Sequence, residues 1–271
     1  MVVLEYQDLE LLIVKIREIS GFDFSGYARP SLLRRASRYL EKHDMVLAEL
    51  IIHIEQGGIV VSDLIQELTV NYSEMFRDPD FFIKMRSEVL TYLESYPTIR
   101  FWIAGCASGE EAFSLAILLR EAGLSDKSLI YGTDLSQRVL TSAREGIFSL
   151  ANMRIFSENY MLAQGINSLS DYYHVAYNQV IINSEIRKNI VFSLHDLTGD
   201  GVFNEFQMIS CRNVMIYFNL EQRQKVFRLL YESLGMLGFL CLGKRETLRH
   251  SGLEENFRII SANLNIYQKI K

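Results

Sequence analysis

Long apolar runs are missing from this 271-residue chain. No stretch approaches the ~18 to 20 uncharged residues of a membrane span, and the opening MVVLEYQDLELL carries acids where a secretion signal carries Lys or Arg. Membrane insertion and export are therefore not expected. Cysteine is scarce and poorly placed for cross-linking: Cys106, Cys211 and Cys241 are an odd number, far apart, with no C-x-x-C or Cys/His spacing. That excludes a disulfide framework or a zinc site and fits a reducing cytoplasm. The 5 histidines are scattered without metal-ligand spacing. With 28 Lys+Arg against 33 Asp+Glu the net charge is −5, which argues against a protein that tracks nucleic-acid phosphates.

What is present is the composition of a packed soluble protein, 49% hydrophobic and 23% charged with only 3 Pro. Up to about residue 70 the pattern is helical: Leu9, Leu12, Ile13 and Ile16 recur at helical spacing, as do Leu47, Leu50, Ile51 and Ile54. From Arg100 short apolar runs end in Gly or Asp and are each followed by a helical stretch, RFWIAG then EEAFSLAILLREAG, SLIYGTD then SQRVLTSAREG. NIVFSLHDL, FQMISC with LEQRQKVFRLLYESL, GFLCLGKRE and a final FRIISANLNIYQKI continue the alternation. These runs predict an α/β fold with an open, mostly parallel sheet, the last two pairing as an antiparallel edge. The segment 149–188, with DYYHVAY and QVIIN, reads as an insertion carrying a small hairpin or sheet.

The segment FWIAGCASGE puts Gly105, Ala107, Ser108 and Gly109 between the first strand and its helix, so that backbone can approach a ligand. Asp134 ends the next strand, where a carboxylate can accept from both hydroxyls of a ribose. The spacing is G-x-x-x-G and not G-x-G-x-x-G, which suits a ribose-bearing ligand with no phosphate to cradle, such as S-adenosylmethionine. A tight turn and a helix-capping aspartate are the structural alternative.

Three further segments narrow the reading: NYSEMFRDPDFF with Asn71, Ser73 and Arg77, then GEEAFSLA, then ISCRNVMIYF with Arg212, Asn213 and Tyr217. Together and in this order they resemble the chemotaxis-receptor glutamate O-methyltransferases, the CheR family, from about Gly21 to the C-terminus. The resemblance implies an all-helical domain over 1–70 joined to a Rossmann-like S-adenosylmethionine-dependent methyltransferase domain over 71–271, with the antiparallel β-insertion at about 149–188. It implies cofactor contacts from Asn71, Ser73, Arg77, Gly105, Glu111, Asp134, Asp196, Leu197, Arg212 and Asn213. In that reading Asp134 takes the ribose, Asp196 the adenine amino group, Arg77 the methionine carboxylate and Glu111 its ammonium. Arg77 paired with Asp78 or Asp80, and Glu110 and Glu111 as favourable charge at a helix N-terminus, are the alternatives.

The implied reaction forms a glutamate methyl ester and leaves S-adenosyl-L-homocysteine. A glutamate nucleophile, whose carboxyl titrates at ~4.3 when free in water, is already ionised at neutral pH and needs no general base. Tyr217 is the candidate to line the methyl-transfer site, against the alternative of an amphipathic core tyrosine. Residues 22–43 hold Arg29, Arg34, Arg35, Arg38 and Lys42 against Asp23 and Glu41, a local excess of positive charge. Arg34, Arg38 and Lys42 share a helical face that can receive an acidic partner, and Arg38 is the candidate substrate contact. The expected partner is the cytoplasmic coiled-coil region of a methyl-accepting chemotaxis receptor, met by a monomer. A base methyltransferase is disfavoured because Pro30, Pro79 and Pro97 make no Asn/Asp-Pro-Pro-aromatic turn. A non-catalytic S-adenosylmethionine-binding adaptor is the other reading. Departures from the family pattern are Ala107-Ser108 for Ser-Thr, Ala112-Phe113 for Pro-Tyr, Asp196 for Asn, and Lys244-Arg245 before Glu246 where H-S-E is common.

Overall fold

The computed structural model describes residues 4–20, 24–25, 27–56, 59–68 and 73–271. Two compact units are present: Met1–Asn71 with Tyr217–Arg223, and Tyr72–Ile216 with Gln224–Lys271.

The first unit is built on α1 (Tyr6–Ser20), α2 (Arg29–His43), α3 (Leu47–Gln56) and α4 (Ile59–Leu68). Their apolar stripes explain the packing: Leu9, Leu12, Ile13 and Ile16 of α1 are buried, as are Leu32, Ala36, Tyr39 and Leu40 of α2 and Leu50 and Ile54 of α3. Pro30 sits in the first turn of α2, where its missing N–H costs nothing, and Asp44 in the left-handed region ends the helix. The segment Tyr217–Arg223 belongs here. The Ala28 N–H donates to the Tyr217 carbonyl at 2.8 Å, and the rings of Tyr27 and Phe218 meet edge to face at 5.2 Å.

The second unit opens with α5 (Pro79–Lys84), a π-helical stretch Met85–Leu90 and α6 (Thr91–Leu93). Then come β1 (Ile99–Ala104), α7 (Glu110–Glu121), β2 (Ser128–Asp134), α8 (Gln137–Glu145) and β3 (Ile147–Ser149). They are followed by α9 (Met153–Leu162), β4 (Tyr173–Ala176), β5 (Gln179–Ile182), α10 (Ser184–Arg187), β6 (Ile190–Leu194) and β7 (Phe206–Cys211). α11 (Leu220–Ser233), β8 (Leu234–Leu242), β9 (Phe257–Ser261) and β10 (Ile266–Lys269) complete the chain. The described strands form a seven-stranded sheet in the order β6-β2-β1-β7-β8-β10-β9 and a three-stranded sheet in the order β3-β5-β4. β6, β2, β1, β7 and β8 run parallel, so their carboxyl ends share one edge, and the order reverses between β1 and β7. A crevice for a ligand opens at such a reversal. Trp102 and Phe101 of β1 and Phe113 of α7 are fully buried and fix the sheet and helix around it.

The final run FRIISANLNIYQKI differs from its sequence reading as one edge strand. A turn at 262–265 with Asn265 at φ 51° divides it, so β10 pairs antiparallel with β8 and β9 folds back outside it. Asn tolerates the left-handed conformation that the turn requires.

Candidate cofactor site

The site is assembled from four carboxyl ends of the parallel strands. After β1 the chain turns at Gly105, whose φ of +75° favours glycine and where a Cβ would lie 2.4 Å from Val214 Cγ2. Gly109, at φ +91°, starts α7 under the rings of Phe113 and Phe192. Between them Ala107 also takes a positive φ, 47°, and its N–H donates to Asp134 Oδ2 at 3.0 Å. Asp134 Oδ1 accepts from the Ser136 N–H at 3.1 Å. The carboxylate at the end of β2 thus ties the glycine loop to the turn after β2. Burial pushes its pKa up against the pull of those N–H groups. Each oxygen keeps a lone pair for a further donor.

At the end of β6, Leu197 is buried, and Asp196 folds into an Asx turn. Its Oδ1 accepts from the Thr198 N–H at 2.8 Å and from Thr198 Oγ1 at 2.7 Å. Oδ2 is left to accept from an outside donor. His195, packed against Trp102 at 5.3 Å, bonds the Gly201 carbonyl through Nε2 at 3.2 Å and anchors the base of the same loop.

At the end of β7, Arg212 is buried. Its Nη1 donates to Glu111 Oε2 at 2.9 Å, and its Nη2 donates to Asp78 Oδ2 at 2.7 Å and to the Arg77 carbonyl at 3.2 Å. The guanidinium lies over the Phe81 ring at 4.0 Å. Ser210 Oγ donates to Glu111 Oε1. The sequence reading gives Glu111 to a ligand ammonium; in the structure that carboxylate already accepts from Arg212 and Ser210, one donor on each oxygen. Its neighbour Glu110 is the more buried of the two acids. It is 5% exposed, its Oε2 has no partner among the described residues, and burial raises its pKa to about 7 against the pull of Ser108 and Ser73. Two adjacent acids in one helical turn look alike in sequence; which of them meets Arg212 is decided by the rotation of α7.

Sequence reasoning also passed over the role of Glu246. Its two oxygens accept four backbone N–H groups, from Asn213 at 2.9 Å, Val214 at 2.8 Å, Met215 at 2.8 Å and Gly243 at 2.6 Å. They hold Asn213 at φ 62° just beyond Arg212. Burial raises the Glu246 pKa despite these donors. Glu246→Gln puts an amide NH₂ where an acceptor is required and is expected to cost about 2 kcal/mol, read as a lower urea midpoint with an unchanged slope. Cys106 and Cys211 are buried, and burial pushes both thiols up, away from nucleophilic chemistry.

Of the remaining sequence candidates, Asn71 lies outside the described residues. Ser73 and Arg77 lie in the loop before α5, Ser73 beside the Glu110 carboxylate and Arg77 with its carbonyl on Arg212. Tyr217 and Arg38 belong to the first unit. Tyr217 lies under the Arg35 guanidinium at 5.0 Å. The face expected to hold Arg34, Arg38 and Lys42 is open at the two arginines and closed at Lys42. Arg29 pairs with Glu10, Arg35 donates to the Leu68 carbonyl at 2.6 Å, and Lys42 pairs with Glu67. Arg34 and Arg38 are exposed and form no ion pair among the described residues.

Residues 71–266 match the CheR methyltransferase SAM-binding domain, and residues 7–69 match the CheR methyltransferase all-alpha domain. The chain belongs to the CheR methyltransferase family. A protein named Cher3 from Pseudomonas putida is 41% identical over 266 residues, covering 97% of this chain and 96% of its own. The chemotaxis protein methyltransferase of Listeria monocytogenes is 29% identical over 231 residues, with 84% and 85% covered. Chemotaxis protein methyltransferase 1 of Pseudomonas aeruginosa is 26% identical over 281 residues, with 97% and 98% covered. S-adenosylmethionine is the cofactor of this CheR fold. The donor set fits it: acceptors for hydroxyl and amino groups at Asp134 and Asp196, a buried carboxylate at Glu110, and a glycine loop closed to side chains.

Proposed function

We propose that this chain transfers a methyl group from S-adenosylmethionine to glutamate side-chain carboxylates of a chemoreceptor-like protein in chemotaxis signalling. The observation that carries the substrate assignment is the exposed Arg34 and Arg38 pair on α2, which forms no ion pair among the described residues, in a chain of net charge −5. It suits the acidic surface of a helical, glutamate-bearing partner. The family and its relatives named as chemotaxis methyltransferases support the same reading.

The bound cofactor supplies an electrophilic methyl on a sulfonium. The chain's own residues position and exclude: Asp134 holds the ribose hydroxyls, Asp196 and Leu197 the adenine, Arg77 the carboxylate and Glu110 the ammonium. Ser73, Asn213 and, through its ion pairs, Arg212 complete the enclosure, and the family resemblance adds Asn71 as a cofactor contact. A substrate carboxylate oxygen forms the new bond to the methyl carbon as the carbon–sulfur bond breaks with its electron pair staying on sulfur. The products are a neutral methyl ester and S-adenosyl-L-homocysteine, with no proton to move, so a histidine or serine base has no task. Tyr217 orients the incoming carboxylate, and Arg38 docks the partner helix. The setting is the cytoplasmic coiled coil of a methyl-accepting receptor, served by one copy of the chain.

The test is mass spectrometry of receptor coiled-coil fragments incubated with the protein and cofactor. Glutamate methyl esters are expected with wild type. Arg34→Glu/Arg38→Glu is expected to lower the rate on receptor by at least about tenfold, with cofactor affinity unchanged. Cofactor bound tightly with no ester formed on any receptor fragment would leave an adaptor and not an enzyme.

A further inference from the structure

The loop Ser73–Asp78 carries two residues named above for the cofactor, Ser73 and Arg77, yet it has no regular structure of its own. Two of its residues, Phe76 at φ 53° and Asp78 at φ 59°, occupy the left-handed region that side-chain-bearing residues avoid. Such a conformation persists only where its surroundings over-determine it. Three attachments do so. The Phe76 N–H donates to Ser114 Oγ of α7 at 2.8 Å. The Arg77 carbonyl accepts from Arg212 at 3.2 Å. The Asp78 carboxylate is divided between two cations, Oδ2 taking Arg212 at 2.7 Å and Oδ1 taking Lys244 at 2.8 Å.

The result is a chain of alternating charge, Lys244–Asp78–Arg212–Glu111, that joins the loop to the end of β7, to α7 and to the turn after β8. Burial pushes the Asp78 carboxyl up, but Lys244 and Arg212 outweigh it and hold the pKa below its ordinary value. The chain is graded in exposure. The Arg212 side chain is 2% exposed, Glu111 16% and Asp78 18%, whereas Lys244 is 52% exposed. The inner members are shielded from ions in solution; the outer one is not.

We propose that this chain of charges is a latch that sets the Ser73–Asp78 loop in its cofactor-binding geometry, with Asp78 and Lys244 as positioning residues and Lys244 as the end that solvent ions can loosen. The inference rests on the cofactor reading of Ser73 and Arg77. Lys244 acts through Asp78, the carboxylate of a left-handed residue next to Arg77. Cofactor affinity is therefore coupled to an ion pair whose lysine is half exposed.

The experiment is calorimetric titration of S-adenosyl-L-homocysteine into the full chain at low and high sodium chloride. Wild type, Lys244→Met, Lys244→Arg and Asp78→Asn are compared, each with its thermal midpoint. Lys244→Met keeps the side-chain length without the charge and is expected to fold normally and bind about fivefold more weakly at low salt. Lys244→Arg restores most of that loss. Wild type weakens toward the Lys244→Met value as salt rises, and Lys244→Met does not respond. Asp78→Asn loses roughly 10- to 30-fold because Arg212 keeps a buried charge with one partner fewer. Equal affinity and equal salt response in wild type and Lys244→Met would overturn the latch and leave the cofactor site standing. Failure of wild type to bind S-adenosyl-L-homocysteine would overturn the cofactor reading and the latch together.

Discussion

Glu110→Gln is expected to make the protein more stable at pH 8 and, in the same molecule, to weaken its hold on S-adenosylmethionine. The Glu110 carboxyl titrates at about 7 in the folded chain against an ordinary value of 4.5. Between those values the folded chain keeps a proton that the unfolded chain releases. Stability from this group is thus full below the lower value and is lost as pH rises through the upper one. The displacement corresponds to ~3 kcal/mol of strain at pH 8. Glutamine resembles the protonated acid and carries no such penalty, so urea unfolding should show a gain of about 2 to 3 kcal/mol at pH 8 and none at pH 4. The cost appears on binding. A buried carboxylate whose Oε2 has no hydrogen-bond partner among the described residues would be stabilised by an incoming ammonium, and removing its charge should weaken the cofactor at least ~30-fold. Wild-type binding near pH 7 should also release about half a proton, read by calorimetry in buffers of different ionisation enthalpy; Glu110→Gln should release none. Unchanged affinity in the glutamine variant would assign the ammonium to another group.

Asp134→Ala is expected to abolish measurable cofactor binding, a loss of at least ~100-fold, while the sheet still folds. The carboxylate has two tasks. It accepts the Ala107 and Ser136 N–H groups, which holds the glycine loop in register with the end of β2, and in the proposed function it presents its remaining lone pairs to the ribose. Alanine leaves both N–H groups without an acceptor, at about 1 to 3 kcal/mol of stability, and removes the sugar's partner. Asp134→Asn separates the tasks. The amide oxygen can serve one N–H group, its NH₂ opposes the other, and roughly tenfold of affinity should survive relative to alanine. Fluorescence titration with S-adenosyl-L-homocysteine alongside urea unfolding distinguishes lost affinity from lost structure. Retained binding in Asp134→Ala would move the ribose site elsewhere.

Much of the fold is legible in the chain because its signals are local. β1, β2 and β7 are apolar runs that end where a glycine or a polar residue must leave the sheet, and FQMISC coincides with β7. The glycine loop is readable for the same reason: backbone at positive φ selects small residues over a few consecutive positions. The C-terminal run from Phe257 was harder. Its alternation reads as one strand, and the break at Asn265 shows only when β10 finds β8 and β9 must fold outside it.

The charged residues of the site follow the opposite rule. Sequence determined that acids and cations lie near the ends of β1, β2, β6 and β7, and that a basic segment precedes them. Only the tertiary structure decided their pairing. Glu111 pairs with Arg212, whereas Glu110 takes Ser108 and Ser73; Asp78 bonds Arg212 and Lys244; Glu246 gathers four backbone donors from two loops. Arg29, Arg35 and Lys42 are satisfied within the helical unit, and Arg34 and Arg38 form no ion pair among the described residues. Apolar periodicity is a property of neighbours along the chain, repeated every two or 3.6 residues, and so it survives in one dimension. Ion pairing joins groups that can be about 100 residues apart, as Arg212 and Glu111 are, and depends on distance, burial and competing partners that exist only once the chain has folded.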